Sequence, residues 1–327
     1  MTAIRLYVDS WDPSYGSAFD PAESGPTGES AAQLKTDVEL PPGGWRPIGA
    51  PADTRAPGLV LLVDGVRRID ARVWAEEPDG TVHPGIAVSY AAGVVACDLR
   101  RGSASVSTSH IERGLFTSSP HAVELRASNA CYGVHRVAGE DLAQLSNAVQ
   151  GDLRRIEIEV SLKARAEVGA EDDLLVVDGP LYGRTQLPRA LGYVKTHRVQ
   201  YLPMELSTVV SVLRPGQRCP VFLLGNGWHR YTWYLKLPGP AGSPWAGVVR
   251  VEASADLTPS EAIALADLST VTLPRFASSP YKDARAPQNL TPIAGLERRL
   301  RGMLGDQRLL LRSLTTAAAV QRGAAAA

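Results

Sequence analysis

The sequence predicts an α/β fold, a mixed sheet flanked by helices with additional β-hairpin elements, and three observations predict it. Apolar runs of strand length end at turn residues, LVLLVDGV at 59–66 and LLVVDGPL at 174–181, and alternate with helical stretches. Residues 141–168 set Leu142, Leu145, Val149, Leu153, Ile156 and Val160 three and four apart, the stripe of an amphipathic helix. CPVFLLGNGWHRYTWYLKL at 219–237 reads as a hairpin about Gly-Asn-Gly, with Tyr231 and Trp233 alternating against Arg230 and Thr232.

Taken in order, residues 1–58 form an irregular N-terminal arm, because Pro, Gly, Ser and acidic residues leave no periodic face to bury. A single domain is expected over 59–314. It begins with three antiparallel strands, LVLLVDGVRRIDARVWA followed by GIAVSYAAGVVACDL, with Pro-Asp-Gly between them. After the 141–168 helix come the strand LLVVDG, the strand within RALGYVKTH, the hairpin, and GVVRVEAS extending its sheet. SEAIALADLSTV is a helix. TPIAGLERRLRGMLGDQRLLLRSL is another, with Thr291 as N-cap, Pro292 in the first turn, and Ile293, Leu296, Leu300 and Leu304 along one face. Residues 315–327 are an Ala-rich tail with no evident partner.

Composition bounds the function classes. The 327 residues carry 34 basic and 34 acidic side chains, so DNA or RNA would have to be met by a local basic surface. Three widely spaced cysteines, Cys97, Cys131 and Cys219, fit reduced thiols and exclude a zinc ribbon or a disulfide framework. The start, MTAIRLYVDSWDPSYG, lacks a basic segment followed by an apolar one, and no run approaches the roughly 20 residues of a membrane helix. A cytoplasmic protein without membrane attachment is expected.

The two Asp-Gly strands raise the question of chemistry. Adjacent strand ends of an open sheet can bring Asp64 and Asp178 to one edge, where ligands also bind. Two close carboxylates repel unless a proton or cation lies between them. Hard oxygen ligands suit magnesium or manganese, and such ions serve phosphodiester cleavage. Asp-Gly also begins ordinary turns, and both readings stay open on this pattern. Glu157 and Glu159 flank the helix stripe on opposite sides. Periodicity does not choose which leans over the sheet and which is a solvated flank. Lys195, directly after ALGYV, either meets an anion at the sheet edge or ends its strand in water. His197 shares that strand face and contacts a phosphate or nothing. No G-x-x-x-x-G-K-[ST] loop is present, which ranks a kinase low.

The segments VDGVRRIDARVW, LLVVDGPLYGR, LGYVKTHRVQYL and YKDARAPQNLTPIAGLERRLRGMLGD, in that order between Leu59 and Leu314, resemble the NurA nuclease family in its bacterial form. The resemblance implies an RNase H-like core and a homodimer. It also implies DNA as substrate, cut by a nuclease that uses manganese, with magnesium as the substitute. The implied role is DNA end resection and double-strand break repair with a HerA-type hexameric ATPase. By the same resemblance Asp64 and Asp178 are catalytic metal ligands, Glu159 or Glu157 completes the shell with Glu159 favoured, and Lys195 steadies the scissile phosphate. Some members carry a tyrosine and a histidine where Ala286 and Ala294 stand, which opens two options. Asp283 supplies the last carboxylate, or it pairs with Lys282 or Arg285 and shapes the loop. The start of the helix at Thr291, with Arg285 and Asn289 beside it, forms an anion site for DNA phosphate. The alternative is a non-catalytic DNA-binding or ATPase-docking subunit of the same fold. An exposed Tyr231 and Trp233 face would offer a partner surface, and a buried one would be ordinary core.

Overall fold

The computed structural model describes residues 32–128, 130–197, 199–239 and 242–325. The chain divides into two units, one comprising 1–62, 96–105 and 169–294, the other 63–95, 106–168 and 295–327. Each is α/β, with its strands in mixed parallel and antiparallel pairing and helices beside them, as the alternation of patterns predicts.

The first unit holds β1 (Gln33–Lys35), β7 (Leu174–Asp178), β8 (Ala190–Val194), β9 (Phe222–Gly225), β10 (His229–Lys236) and β11 (Val248–Ser254). With the opening residues of β2 (Leu59–Glu76), they follow the order β1-β9-β10-β11-β8-β7-β2. β7 and β8 run parallel, with Asp178 opposite Tyr193, whereas β8, β11, β10, β9 and β1 pair antiparallel. The helices of this unit are α2 (Met204–Ser211) and α3 (Pro259–Thr272). Thr258 caps α3 in a reciprocal box with Glu261, satisfying donors that the first turn leaves open. Trp233 is fully buried and its Nε1 donates to Ser269 Oγ at 3.0 Å, tying β10 to α3. Tyr231 is also buried, so this pair is core and presents no partner surface.

In the second unit the rest of β2, β3 (Val82–Asp98), β4 (Ser103–Thr117), β6 (Ala130–Arg136) and β5 (Leu125–Ala127) follow in that order. β4 and β6 pair parallel and β5 closes antiparallel on β6. α1 (Leu142–Val168) buries Leu145, Val149, Leu153, Ile156 and Val160, the predicted stripe without its first member, Leu142, which is exposed. α4 (Thr291–Met303) brings Leu296 and Leu300 against Gly93 of β3, where a Cβ would stand 3.2 Å from each.

Four details differ from the sequence expectation. Within the expected irregular arm, Gln33–Lys35 pair with β9, Trp45 is buried, and Glu39 meets the fully buried Arg218 at 2.7 Å. Residues 1–31 lie outside the described residues. The long C-terminal helix is two helices, because Gly305 adopts φ 80° and ends α4 before α5 (Gln307–Ala325). The Ala-rich stretch is the continuation of α5, and Ala317 and Ala318 pack on the cluster of Ala87, Leu115, Leu125, Tyr132 and Leu314. The N-cap of α4 is Leu290, one residue before Thr291, since its carbonyl accepts from the Ala294 N–H at 3.0 Å.

Candidate metal centre

In the second unit Asp64 does not begin a turn. β2 runs on for twelve residues beyond it, which leaves a carboxylate 7% exposed in mid-strand. A carboxylate buried there needs hydrogen bonds or a cation to offset lost hydration. Its Oδ1 accepts from the Gly65 N–H at 2.8 Å. The absence of a side chain at Gly65 makes room for α1: Glu157 Oε1 lies 2.5 Å, and Leu153 Cδ1 2.8 Å, from where a Cβ would stand. Glu157 is buried, 4% exposed, so of the two helix glutamates it is the one turned toward the Asp64-Gly65 strand. Glu159 faces solvent and pairs with Arg155 one turn back at 2.8 Å.

Glu297, which the sequence reading missed, also belongs here. It offers a carboxylate oxygen within 4.8 Å of one from Asp64. Its helix is held at the far end by Arg68, whose guanidinium donates to Gly305 O at 2.8 Å and Leu304 O at 3.2 Å, and by Arg113, which reaches Leu304 O at 3.3 Å. Cations suit the negative end of the helix dipole, so these arginines fix the position from which Glu297 extends. A signal for it existed. Glu297 stands three residues after Ala294, hence one turn along the same helix face from the position where a histidine was sought.

In the first unit Asp178 ends β7, and Gly179 turns the chain with φ 110°. Lys195, the first residue past β8, donates to Asp178 Oδ2 at 2.6 Å and to Asn289 Oδ1 at 2.9 Å. Its side chain is only 12% exposed, so the lysine meets an anion and does not end its strand in water. The segment 283–290 is fastened over β8 by Tyr193, whose hydroxyl donates to Gln288 O at 2.6 Å. Asn289 is fully buried, and its Nδ2 donates to Asp283 Oδ2 at 2.7 Å. Asp283 Oδ1 accepts from the Arg285 N–H at 2.8 Å, while the Arg285 guanidinium stays 3.9 Å away. Asp283 and Asn289 thus brace Lys195 through the chain Asp178, Lys195, Asn289, Asp283, and Arg285 joins by its backbone.

His197 turns away from this group. Its Nε2–H donates to Val248 O at 2.9 Å, and its ring packs near Tyr234 and Trp245. Burial pushes its pKa down to about 4. The thiols are equally uninvolved: Cys97 and Cys219 are buried, which raises their pKa to about 11 and about 12.

No family model matches the sequence, and no curated protein does. The structure is similar to that of the NurA nuclease from Sulfolobus solfataricus, with a TM-score of 0.42 and 10% identity over 78% of this chain and 81% of that one. An endonuclease V from Bacillus subtilis gives a TM-score of 0.34 and 14% identity over 78% of this chain and 86% of that one. A NurA bound to dAMP and manganese gives 0.21 and 14% identity over 45% of this chain, which spans 24% of that protein.

Proposed function

We propose that the protein is a metal-dependent DNA nuclease in which Asp64 and Glu297 hold a divalent cation and Glu157 supports them; by the sequence resemblance Asp178 is a further ligand. The observation that carries the reading is Asp64, a carboxylate buried in mid-strand with a Glu297 oxygen within 4.8 Å. All the donors are carboxylate oxygens, the set that suits manganese or magnesium and not zinc. When bound, such an ion lowers the pKa of water and stabilises charge developing on a phosphodiester.

The chain's own residues supply the rest. Lys195 uses two of its three N–H donors on Asp178 and Asn289, which leaves one for a phosphate oxygen. Its charge is fixed in place by those bonds and need not reorganise as negative charge builds on the phosphate. Tyr193 and Asp283 hold the loop that carries Asn289, so they position Lys195 and do not touch the reacting atoms. Of the residues the sequence offered, Glu159 and His197 have no part in this reading.

The wider role follows from the sequence resemblance alone: DNA end resection and double-strand break repair in the cytoplasm, as a homodimer, with a HerA-type hexameric ATPase. A second reading, a non-catalytic DNA-binding or ATPase-docking subunit, draws support from the 2.6 Å pair in which Lys195 already neutralises Asp178. Cleavage of labelled single- and double-stranded DNA in manganese, magnesium or EDTA tests the choice. The nuclease reading expects cleavage in at least one metal and none in EDTA. Intact DNA in every metal condition would leave the second reading.

A further inference from the structure

The chain as a whole is neutral, with 34 basic and 34 acidic residues, yet its last 33 residues are not. From Gly295 onward they contain six arginines and only two acidic residues, Glu297 and Asp306. Arg298, Arg299 and Arg301 lie on α4 and Arg308 and Arg312 on α5, all exposed. Among the described residues, none of these five guanidinium groups is held in an ion pair. Stability does not call for them there, because the helices are seated by Leu296, Leu300, Leu304, Leu310 and Leu314, which are all buried.

The arrangement on each helix is directional. On α4, Arg298 and Arg301 are three apart and share a flank with Glu297, whereas Arg299 lies round on the other side of the leucine stripe. Arg301 is four residues from Glu297, about 6 Å along the axis at roughly 1.5 Å per residue. Arg308 and Arg312 are one turn apart on α5, on the face opposite Leu310 and Leu314. Arg312 also lines a shallow groove of about 720 Å³ together with Ser128, Ser313, Thr316 and the Arg126–Glu124 ion pair.

We infer that the arginine surface of α4 and α5 binds the phosphate backbone of DNA and tracks it toward Glu297, independently of sequence. The inference rests on the nuclease reading for the identity of its ligand. Its physical basis is charge complementarity: an unpaired cationic surface on a neutral chain, next to a carboxylate that could not itself attract a polyanion without a cation. Arginines that meet phosphates release condensed counterions, so each one adds about 0.9 to the slope of log K against log salt on duplex DNA.

The test is fluorescence anisotropy of a labelled duplex with the full chain, in EDTA to prevent cleavage, over a series of salt concentrations. The variant is Arg298→Gln, Arg301→Gln, Arg308→Gln and Arg312→Gln together, chosen because glutamine keeps helix propensity. Two double variants, one per helix, serve if the fourfold one does not fold. The expected result is a slope lower by about 0.9 for each arginine replaced, hence by about 3 to 4 for the fourfold variant, at unchanged melting temperature. An unchanged slope overturns the inference and would leave the arginines to an acidic protein surface. Failure of the nuclease reading has a different signature: no metal-dependent cleavage by the wild type while the slope change persists, which supports the surface and removes only the chemistry.

Discussion

Gly65 has no side chain, and Glu157 Oε1 lies 2.5 Å from where a Cβ would stand. The Gly65→Ala chain must push back both that carboxyl and Leu153, an overpacking that costs about 1–3 kcal/mol. Thermal unfolding should show the loss, and on the proposed supporting role of Glu157 metal affinity should fall with it, because Glu157 leaves its place against Gly65. The two helix glutamates give a sharper comparison. Glu157→Gln should weaken manganese binding by about 10–100-fold, as removal of a supporting group does, and Glu159→Gln should leave it unchanged. Equal effects would remove Glu157 from the site. His197 carries a pH dependence instead. Its imidazole takes a proton near 6.5 when unfolded but only near 4 when folded, because the buried ring resists charging. Below pH 6.5 the unfolded state therefore binds protons that the folded state does not. Stability present above 6.5 is lost as pH falls toward 4, by about 3 kcal/mol in all. Urea midpoints between pH 7 and 4 should fall more steeply for the wild type than for His197→Gln, and parallel curves would contradict the assignment.

Whole elements divide into those that local pattern specifies and those that it does not. The α1 stripe and the β9–β10 hairpin were legible because each has its period and turn chemistry within one segment. The break between α4 and α5 was not, since leucines continue at helical spacings of four and seven through Leu300, Leu304 and Leu311 and only the conformation of Gly305 ends the helix. An L-residue at φ 80° costs about 1–2 kcal/mol, so Gly305→Ala should lower the unfolding free energy by that amount, read from urea denaturation. No loss, or the gain that an exposed mid-helix Gly→Ala change gives, would mean that α4 and α5 can merge. The tail was illegible for another reason. Alanine adds little to any amphipathic stripe, yet Ala317 and Ala318 fit against Leu125 and Tyr132 because they are small. Similarly, the Pro-rich stretch before Leu59 shows no periodicity, and what fixes it is the long-range bond from Glu39 to Arg218.

For the molecule as a whole, the sequence pointed to Asp64, Asp178 and Lys195 through strand ends, and the structure brings Lys195 onto Asp178 at 2.6 Å. It pointed less well to the remaining carboxylates. Which flank of α1 faces Gly65 depends on how the helix lies on β2, and the nearness of Glu297 to Asp64 depends on how α4 lies on β3. Neither packing is written in a local period. The exposed arginines of α4 and α5 were equally hidden in a balanced total charge. The nuclease reading stands or falls on Asp64 as a ligand of a catalytic metal. Manganese binding by titration calorimetry, paired with DNA cleavage, decides it when the wild type is compared with Asp64→Asn. Asp64→Asn is expected to keep its fold and to lose both manganese affinity and cleavage. An Asp64→Asn protein that binds manganese and cuts DNA at the wild-type rate would contradict the assignment.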